Sequence, residues 1–260
     1  MWTVQRSAHL AHVAMWTGLC LAMGCVSQTW AMSAQGTLGD YIFSGEVLDD
    51  RRAPPPPVAR YVSDEGQSFV LDRSSPTPLL RFEDSSETLV LSPQPAARGD
   101  VIYRDEAGEP VLRVTKLGGL TLFAHGRPGG APVALAGQAA SLRLQALSAT
   151  ALLQRLGQAS VRASRAARRL IWFDAQEVTP GSEAVFADAA AVAAEAVVSM
   201  SQRKDHKALL ERFSKVMFLP GARSTASVNR GVMNITVTPA AGIAGRPSSS
   251  RIVQAVATAK

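Results

Sequence analysis

A group of arginines on one predicted helix is the strongest chemical signal in the sequence. Five arginines and no acidic residue occur between positions 149 and 171. Four of them fall on one side of the helix, namely Arg155, Arg162, Arg165 and Arg169. Because a guanidinium group binds phosphate and carboxylate oxygens through paired hydrogen bonds, these residues are candidates for contact with lipid headgroups, an acidic polymer or an acidic protein. The alternative is a solvated helix face whose arginines pair in part with Glu177, Glu183, Asp188 or Glu195.

Motifs for catalysis or metal binding do not stand out in the sequence. It has no G-x-S-x-G, P-loop or G-x-G-x-x-G motif. Ser201–Lys204 matches S-x-x-K, but no K-T-G segment follows it. His125 and His206 have no second histidine or carboxylate at zinc-ligand spacing, and the adjacent acids Glu83-Asp84 point to opposite faces of a strand. We therefore expect no metal and no cofactor, and we assign no catalytic residue.

The N-terminus has the pattern of a secretion signal. Residues 1–14 carry Arg6 and no acid, and an apolar segment follows from Met15 to Val26. Small residues then place the predicted cleavage site after Ala31. Two alternatives stay open. Cys25 lies in a sequence similar to a bacterial lipoprotein box, so that its lipidation would tether the protein to a membrane, or the apolar segment remains uncleaved as an anchor.

Composition bounds the class of protein. The 260 residues are 47% apolar and 18% charged, which is enough apolar surface for one large domain or two small ones. Both cysteines lie within the predicted signal, so a cleaved chain would have no disulfide, thiolate ligand or thiol nucleophile. A net charge of +6 suits an anionic envelope component or an acidic protein. Predicted export and the lack of interleaved aromatic residues argue against nucleic acid.

Short apolar segments alternate with turn residues from 58 to 124. The seven candidate strands are 58–63, 67–73, 78–83, 87–92, 100–105, 109–115 and 119–124. Their regular spacing is typical of an antiparallel meander, barrel or sandwich. Apolar side chains share one face in four pairs: Phe69 and Leu71, Leu80 and Phe82, Leu89 and Leu91, and Leu112 and Val114. The prolines at 54–57 predict a stiff spacer before the first strand, or an ordinary start to the domain.

Helical periodicity begins after a glycine- and proline-rich break at 126–132. Leu152, Leu156, Ala159, Ala163, Ala166 and Leu170 recur at steps of three and four. A second helix spans about 182–202, with Ser182 as a candidate cap, and we expect the two to form an antiparallel hairpin. A third helix is predicted near 205–218, with Leu209, Phe213, Val216 and Met217 on its apolar side.

The C-terminal segment returns to strand. Asn229-Arg230-Gly231 predicts a hairpin turn between two strands, and Met233, Ile235 and Val237 alternate with polar residues. A last helix is predicted at 248–258, capped by Ser248. These strands can either join the N-terminal strands in one sheet or stack against them.

Several segments of the sequence resemble one protein family. They include Ala59–Val62, Phe69–Arg73, Pro78–Glu83, Arg98–Tyr103, Gly118–Phe123 and Ala244–Ser249. Together they resemble a group of exported alphaproteobacterial proteins catalogued as a domain of unknown function. The resemblance covers about 58–255. It implies an exported protein with a single folded unit, and it implies no activity, substrate or catalytic residue.

The sequence thus predicts an α+β protein in four segments. They are a signal peptide at 1–31, a proline-rich tether at 32–57, a β-meander domain at 58–125, and a helical segment with C-terminal strands at 126–260, which can pack with the β domain as one unit. We expect a cell-envelope protein, periplasmic or secreted, that acts as a non-catalytic binding or scaffold module. The alternatives are a periplasmic enzyme with dispersed acidic residues and a purely structural or regulatory component.

Overall fold

A computed structural model describes residues 56–123 and 129–259 of the chain. The predicted signal peptide with Ala31 and Cys25, the tether as far as residue 55, and His125 lie outside the described residues. Export, cleavage and lipidation therefore stay predictions.

Nine antiparallel strands form the N-terminal sheet. They are β1 (Val58–Ser63), β2 (Ser68–Asp72), β3 (Leu79–Phe82), β4 (Leu89–Val90), β5 (Ser92–Pro95), β6 (Val101–Arg104), β7 (Pro110–Val114), β8 (Leu120–Leu122) and β9 (Ala131–Gln138). Their order in the sheet is β4-β3-β2-β1-β9-β8-β7-β6-β5. Because only Leu91 separates the two edge strands β4 and β5 in the chain, the sheet is nearly closed. We call it the barrel.

The interior of the barrel is filled by the side chains that sequence alternation predicts on one face of the strands. Phe69, Leu71, Leu80 and Leu112 are almost fully buried there, and the alternation predicted from the sequence is confirmed. The rings of Tyr61 and Phe69 stack at 5.6 Å between centroids, and Phe69 meets Phe82 edge-on at 6.0 Å. The centre of the barrel is therefore filled with packed side chains.

Strand β9 closes the barrel, and sequence reasoning missed it. It pairs with β1 on one side and with β8 on the other. Its sequence is rich in alanine, and of its two larger aliphatic residues Leu135 is 52% exposed and Val133 is only partly buried. Burial of small residues leaves no alternation of large apolar side chains, so the segment looked like a loop.

The remaining elements form an α/β half. They are α1 (Ala149–Ala167), β10 (Trp172–Ala175), α2 (Glu183–Ser201), α3 (His206–Leu210), β11 (Lys215–Pro220), β12 (Thr225–Asn229), β13 (Val232–Val237) and α4 (Ser249–Thr258). Short 3-10 turns occupy Ala97–Gly99 and Pro239–Gly245. The sheet order is β10-β11-β13-β12, so the two β segments of the chain form separate sheets.

Helices α1 and α2 pack against each other but do not form the antiparallel hairpin that we predicted. Strand β10 lies between them in the chain. Because the chain reverses on entering and on leaving β10, the two helices run in the same direction. The ion pair between Arg162 and Glu195 accordingly joins points equally far along both helices. Leu170, predicted on the apolar face of α1, lies beyond its end and is 57% exposed.

The third predicted helix is wrong over most of its length. Helix α3 ends at Leu210, and Lys215–Pro220 is instead strand β11, parallel to both β10 and β13. Val216 and Phe218 are fully buried in the core. A strand in the middle of a parallel sheet is apolar on both faces, and its short apolar run is indistinguishable by period from a helix.

The hairpin and the last helix are confirmed. Arg230 and Gly231 both have positive φ (50° and 79°), as a two-residue hairpin turn requires. The hydroxyl oxygens of Ser148 and Ser248 accept hydrogen bonds from the first turns of α1 and α4. Ser182 precedes α2, but its hydroxyl donates to the Thr179 carbonyl at 2.6 Å and does not cap the helix.

Helix α2 is the centre of the α/β core. In the part of the chain that the structure describes, one helix is long and apolar enough to cross a membrane, and it is α2. Most of its residues are buried against α1 and the sheet, among them Phe186, Ala193, Val197 and Met200. This burial accounts for its apolar composition.

Three sets of contacts join the barrel to the α/β half within one compact unit, Pro54–Lys260; they involve Asp72, residues 244–251, and Ser86, whose hydroxyl binds Arg162 and Glu195. At the first, Asp72 on β2 accepts hydrogen bonds from the Ser141 hydroxyl at 2.7 Å and the Leu142 N–H at 2.9 Å. Leu142 packs there against Val70 and Ile243. The second contact involves residues 244–251, which we call the latch segment.

Candidate functional site

A cavity of about 890 Å³ lies where the latch segment meets the barrel. Its walls come from five places in the barrel: the β1–β2 turn, the loop between β3 and β4, the segment from β4 to the start of β5, the β6–β7 turn and Phe123 after β8. The latch segment supplies the remaining wall. Antiparallel strands bring alternate turns to the same end of a barrel, which is why residues distant in sequence meet here.

Apolar side chains form the part of the cavity nearest the barrel interior. Phe82 and Leu89 belong to the cluster that fills the barrel. Val111 and Phe123 line the same cavity. A ligand with an apolar portion would therefore remove these side chains from water, which favours binding.

Carboxylates surround these apolar side chains. Six acids line the cavity: Glu65, Asp84, Glu87, Asp105, Glu106 and Glu109. Arg246 is the one cation among the lining residues that the structure describes. The sequence showed these acids as isolated turn residues, since they come from three separate connections of the barrel.

Arg246 is buried and already bound to other residues. Its Nε donates to Asp188 on α2 at 2.5 Å, and a terminal nitrogen donates to the Thr88 carbonyl at 2.8 Å. Its other terminal nitrogen lies 3.5 Å from Glu87. With its charge satisfied by Asp188 and Glu87, Arg246 is not free to bind an anionic ligand.

Glu87 and Glu106 hold the first turn of α4. Glu87 accepts hydrogen bonds from the N–H of Ser249 at 3.0 Å and from its hydroxyl. Glu106 accepts one from the N–H of Ser248 at 2.6 Å and forms an ion pair with Arg251. Negative charge at a helix N-terminus is stabilising because the N–H groups there lack partners within the helix.

The two acids differ in pKa. Burial raises the pKa of Glu87, and nearby Asp188 adds to this, against the lowering effect of Ser249 and Arg246. Burial also raises the pKa of Glu106, but hydrogen bonds from Arg251 and Ser248 outweigh it and the net pKa is lowered. Glu106 is therefore the acid held in its charged form.

Two cavity acids keep their carboxylates available. Within the described ranges, the side chains of Asp84 and Glu109 make no hydrogen bond or ion pair. Asp105 accepts from the N–H of Glu109 at 2.9 Å and stabilises the β6–β7 turn. The free carboxylates at the exposed side of the cavity favour a ligand that carries positive charge.

The candidate arginines on α1 separate into two groups. Arg162 pairs with Glu195 and donates to the Ser86 hydroxyl at 3.1 Å. Arg169 donates to the carbonyls of Leu210 and Phe213. By contrast, Arg155 and Arg165 are exposed and make no side-chain hydrogen bond or ion pair with the described residues. Two of the four predicted arginines, Arg162 and Arg169, thus have structural partners. None of the four lines the cavity.

The other residues considered for chemistry have structural partners as well. Ser201 donates to the Val198 carbonyl at 2.7 Å, and the ring of His206 lies 2.9 Å from the Arg203 carbonyl. Glu83 pairs with Arg60 at 3.0 Å, whereas its neighbour Asp84 lines the cavity. No group of three His, Cys, Asp or Glu residues suited to a metal occurs within 56–123 and 129–259.

One sequence signal did point toward the cavity. The segment Ala244–Ser249, on which the family resemblance partly rests, makes up most of the latch segment. Nothing in this segment itself identifies its partners Glu87, Glu106 and Asp188, because they lie far away in the sequence.

Comparison with known proteins also gives a domain of unknown function. The chain matches the family model described as Domain of unknown function (DUF4908) over residues 40–256. No curated protein and no solved structure matches the chain significantly.

Proposed function

We propose that this chain, which belongs to the family Domain of unknown function (DUF4908), is a non-catalytic binding module. Its ligand would enter the cavity beside the latch segment and would combine an apolar portion with a positively charged group. The observation that carries this proposal is the cavity itself, with apolar side chains toward the barrel interior and free carboxylates at its exposed side. A volume of about 890 Å³ falls in the range of small-molecule sites.

The compartment belongs to the same proposal. The N-terminal pattern of a basic start, an apolar segment and Thr29-Trp30-Ala31 supports export. We propose that the module works in the cell envelope, either released after Ala31 or tethered through Cys25. The intact mass of the protein from fractionated cells distinguishes these two forms from an uncleaved chain.

Binding is tested with three probes that share one apolar tail. Octyltrimethylammonium, octyl glucoside and octyl sulfate are titrated, below the concentrations at which they form micelles, into the chain starting at Met32. That chain contains every described residue. We expect the cationic probe to bind most tightly, because the apolar contribution is common to all three and the carboxylates discriminate by charge. Equal binding of the cationic and anionic probes would refute the cationic preference.

A matched pair of variants locates the site. Glu109→Lys inverts a free carboxylate at the cavity, whereas Glu211→Lys makes the same change on an exposed residue at the end of α3. We expect Glu109→Lys to weaken binding of the cationic probe by about tenfold and Glu211→Lys to leave it unchanged. Equal weakening by both variants would place the effect in the net charge of the protein and not in the cavity.

An enzyme with dispersed acids is the second candidate. Glu87, whose pKa is raised, lies in the same cavity as Glu106, whose pKa is lowered, and such a pairing suits general acid–base catalysis. However, Ser249 and Arg246 already contact both oxygens of Glu87, which favours a structural role. The masses of a ligand recovered before and after incubation with the protein separate the two: an unchanged ligand supports a binding module, and a cleaved ligand supports an enzyme.

A further inference from the structure

Strand β12 lies at one edge of the α/β sheet, with β13 as its one neighbouring strand. The two-residue turn at Arg230-Gly231 makes Asn229 and Val232 the hydrogen-bonded pair that closes the hairpin. Backbone groups of successive strand residues point to alternate sides. The N–H and C=O groups of Ala226 and Val228 therefore point away from β13, toward the open edge of the sheet.

The pairing of β13 with β11 agrees with this orientation. At the end of β13, the carbonyl of Val237 accepts a hydrogen bond from the N–H of Gly221, just after β11, at 2.8 Å. Val237 and every second residue before it thus face β11, and the residues between them face β12. Within the described ranges, the backbone groups of Ala226 and Val228 make no hydrogen bond.

The other sheet edges within 56–123 and 129–259 are protected against pairing. In the barrel, β4 has only two residues, and β5 contains Pro93 and Pro95, which lack an N–H. Just before β10, the carbonyl and the N–H of Ile171 are bound by the hydroxyls of Ser160 and Ser164. Strand β12 has five residues and contains no proline, charged residue or bulge. Its edge is therefore able to accept another strand.

The surroundings of β12 are positively charged. The sequence has seven lysines and arginines after Glu211 and no acidic residue. The main neighbours of β12, which are β13 and α4, accordingly contain no acid. Arg223 and Arg230 lie on either side of β12 in the chain, and both are exposed. Their side chains make no hydrogen bond or ion pair with described residues, so they are available to an acidic ligand.

We propose that β12 binds an acidic peptide in extended conformation, which adds to the sheet as a further strand. The peptide backbone pairs with Ala226 and Val228, and acidic side chains at its two ends meet Arg223 and Arg230. A second copy of the chain is disfavoured, because pairing of two β12 strands brings arginines together at both ends in either direction. The proposal is independent of the cavity ligand, since no residue of β12 lines the cavity.

The test uses a fluorescently labelled peptide with five alternating valines and threonines between two pairs of glutamates. Fluorescence anisotropy measures its binding to the chain starting at Met32. We expect no binding when lysines replace the glutamates. Methylation of the central amide nitrogens keeps the charge but removes the donors to β12, and it should weaken binding by about tenfold. Hydrogen exchange at the amides of Ala226 and Val228 should slow when the acidic peptide binds.

A matched pair of double variants tests the charges. Arg223→Gln with Arg230→Asn should weaken binding by about tenfold, and asparagine tolerates the positive φ of Arg230. The control is Arg81→Gln with Arg168→Asn, which removes the same charge from exposed arginines and includes the same positive-φ substitution. We expect this control to bind the acidic peptide as the wild type does.

A backbone variant tests the strand pairing. Ala226→Pro removes an outward N–H and leaves the hydrogen bonds to β13 in place, so it should weaken binding of the acidic peptide. Thermal unfolding shows whether this variant is folded, and the charge variants test the site independently of it.

Three outcomes would overturn the proposal. Equally tight binding of the methylated peptide would mean that charge alone attracts the peptide. Equal weakening by the Arg81 and Arg168 control would place the effect in the net charge of the protein. A dimer in sedimentation experiments that Ala226→Pro dissociates would make a second copy of the chain the occupant of the edge.

Discussion

At the scale of single residues, burial decides what a charged side chain does. Arg246 is 3% exposed and lies between Asp188 and Glu87, one from α2 and one from the barrel. Removing one partner from such a group leaves the other charges buried without compensation. Arg246 is therefore a structural residue, although it lines the candidate site.

We expect Arg246→Met to lower the free energy of unfolding by about 3–5 kcal/mol, because the buried Glu87 and the partly buried Asp188 would both lose their cationic partner. Urea unfolding followed by circular dichroism measures the change. Arg60→Met is the matched control, since the ion pair of Arg60 with Glu83 is about half exposed and contributes about 0–1 kcal/mol. Equal losses in the two variants would contradict the structural role of Arg246.

Asp72 gives a pH-dependent prediction. Burial of Asp72 opposes ionisation, but hydrogen bonds from Ser74, Ser141 and Leu142 outweigh it and lower the pKa of Asp72 to about 2. A lowered pKa stabilises the fold above the pKa of the unfolded chain, and this stability is lost as the pH falls from about 4 toward 2. We expect Asp72→Asn to cost about 2 kcal/mol at neutral pH.

The control for Asp72 is the pH profile itself. The difference in unfolding free energy between the wild type and Asp72→Asn should shrink as the pH approaches 2, where the wild-type carboxyl also becomes protonated. Residues 139–148 connect β9 to α1. A difference that stays constant from neutral pH to pH 2 would mean that the charge of the Asp72 carboxylate does not hold this segment against the barrel.

At the scale of elements, the sequence predicted those whose apolar residues are large and periodic. Helix α1 was found because its buried residues lie on one side. The strands through Phe69 and Leu112 were found from the alternation of large apolar residues, and α2, which is buried on most sides, was found from the helical spacing of its apolar residues. Strand β9 was missed because its buried residues are small. Strand β11 was mistaken for a helix because it is apolar on both faces, and burial on both faces follows from sheet order, which is not a local property.

Helix α1 contains a test of helix propensity. Gly157 lies in its middle on the exposed side, and an added Cβ would meet no atom within 4 Å. Gly157→Ala should therefore raise the free energy of unfolding by about 0.5–1 kcal/mol, because alanine has less backbone freedom to lose on folding. Thermal or urea unfolding measures this gain.

Gly245 provides the opposite case. A Cβ on Gly245 would lie 1.9 Å from the carbonyl oxygen of Thr238, so Gly245→Ala should destabilise the protein. An unchanged stability in Gly245→Ala, or a loss of stability in Gly157→Ala, would contradict the packing described for these two positions.

At the scale of the whole molecule, the site exists only because two halves of the chain meet. Glu87 and Glu106 belong to barrel connections, yet their partners are the first residues of α4. Local sequence patterns do not predict contacts between residues so far apart in the chain. The strands around the cavity could therefore be predicted, but the cavity could not. The acids that hold α4 and those left free look alike in the sequence.

The latch segment should make the barrel and the α/β half unfold together. Glu87→Ala with Glu106→Ala removes the acceptors for the first turn of α4, so the two halves lose a shared set of contacts. Hydrogen exchange followed by mass spectrometry measures the opening free energies of β2 in the barrel and α2 in the other half. We expect equal values in the wild type, and a difference of about 2 kcal/mol in the double variant.

The control for this coupling is Asp84→Ala with Glu109→Ala, which removes two acids of the same cavity that do not contact α4. Because these carboxylates belong to one half only, β2 and α2 should still open together. If this control separates the two halves as much as Glu87→Ala with Glu106→Ala does, general charge removal at the cavity is responsible. If neither pair separates them, the contacts that both variants retain are sufficient to couple the barrel to the α/β half. These are the contacts of Asp72 with Ser141 and Leu142, of Arg246 with Thr88, and of Ser86 with Arg162 and Glu195.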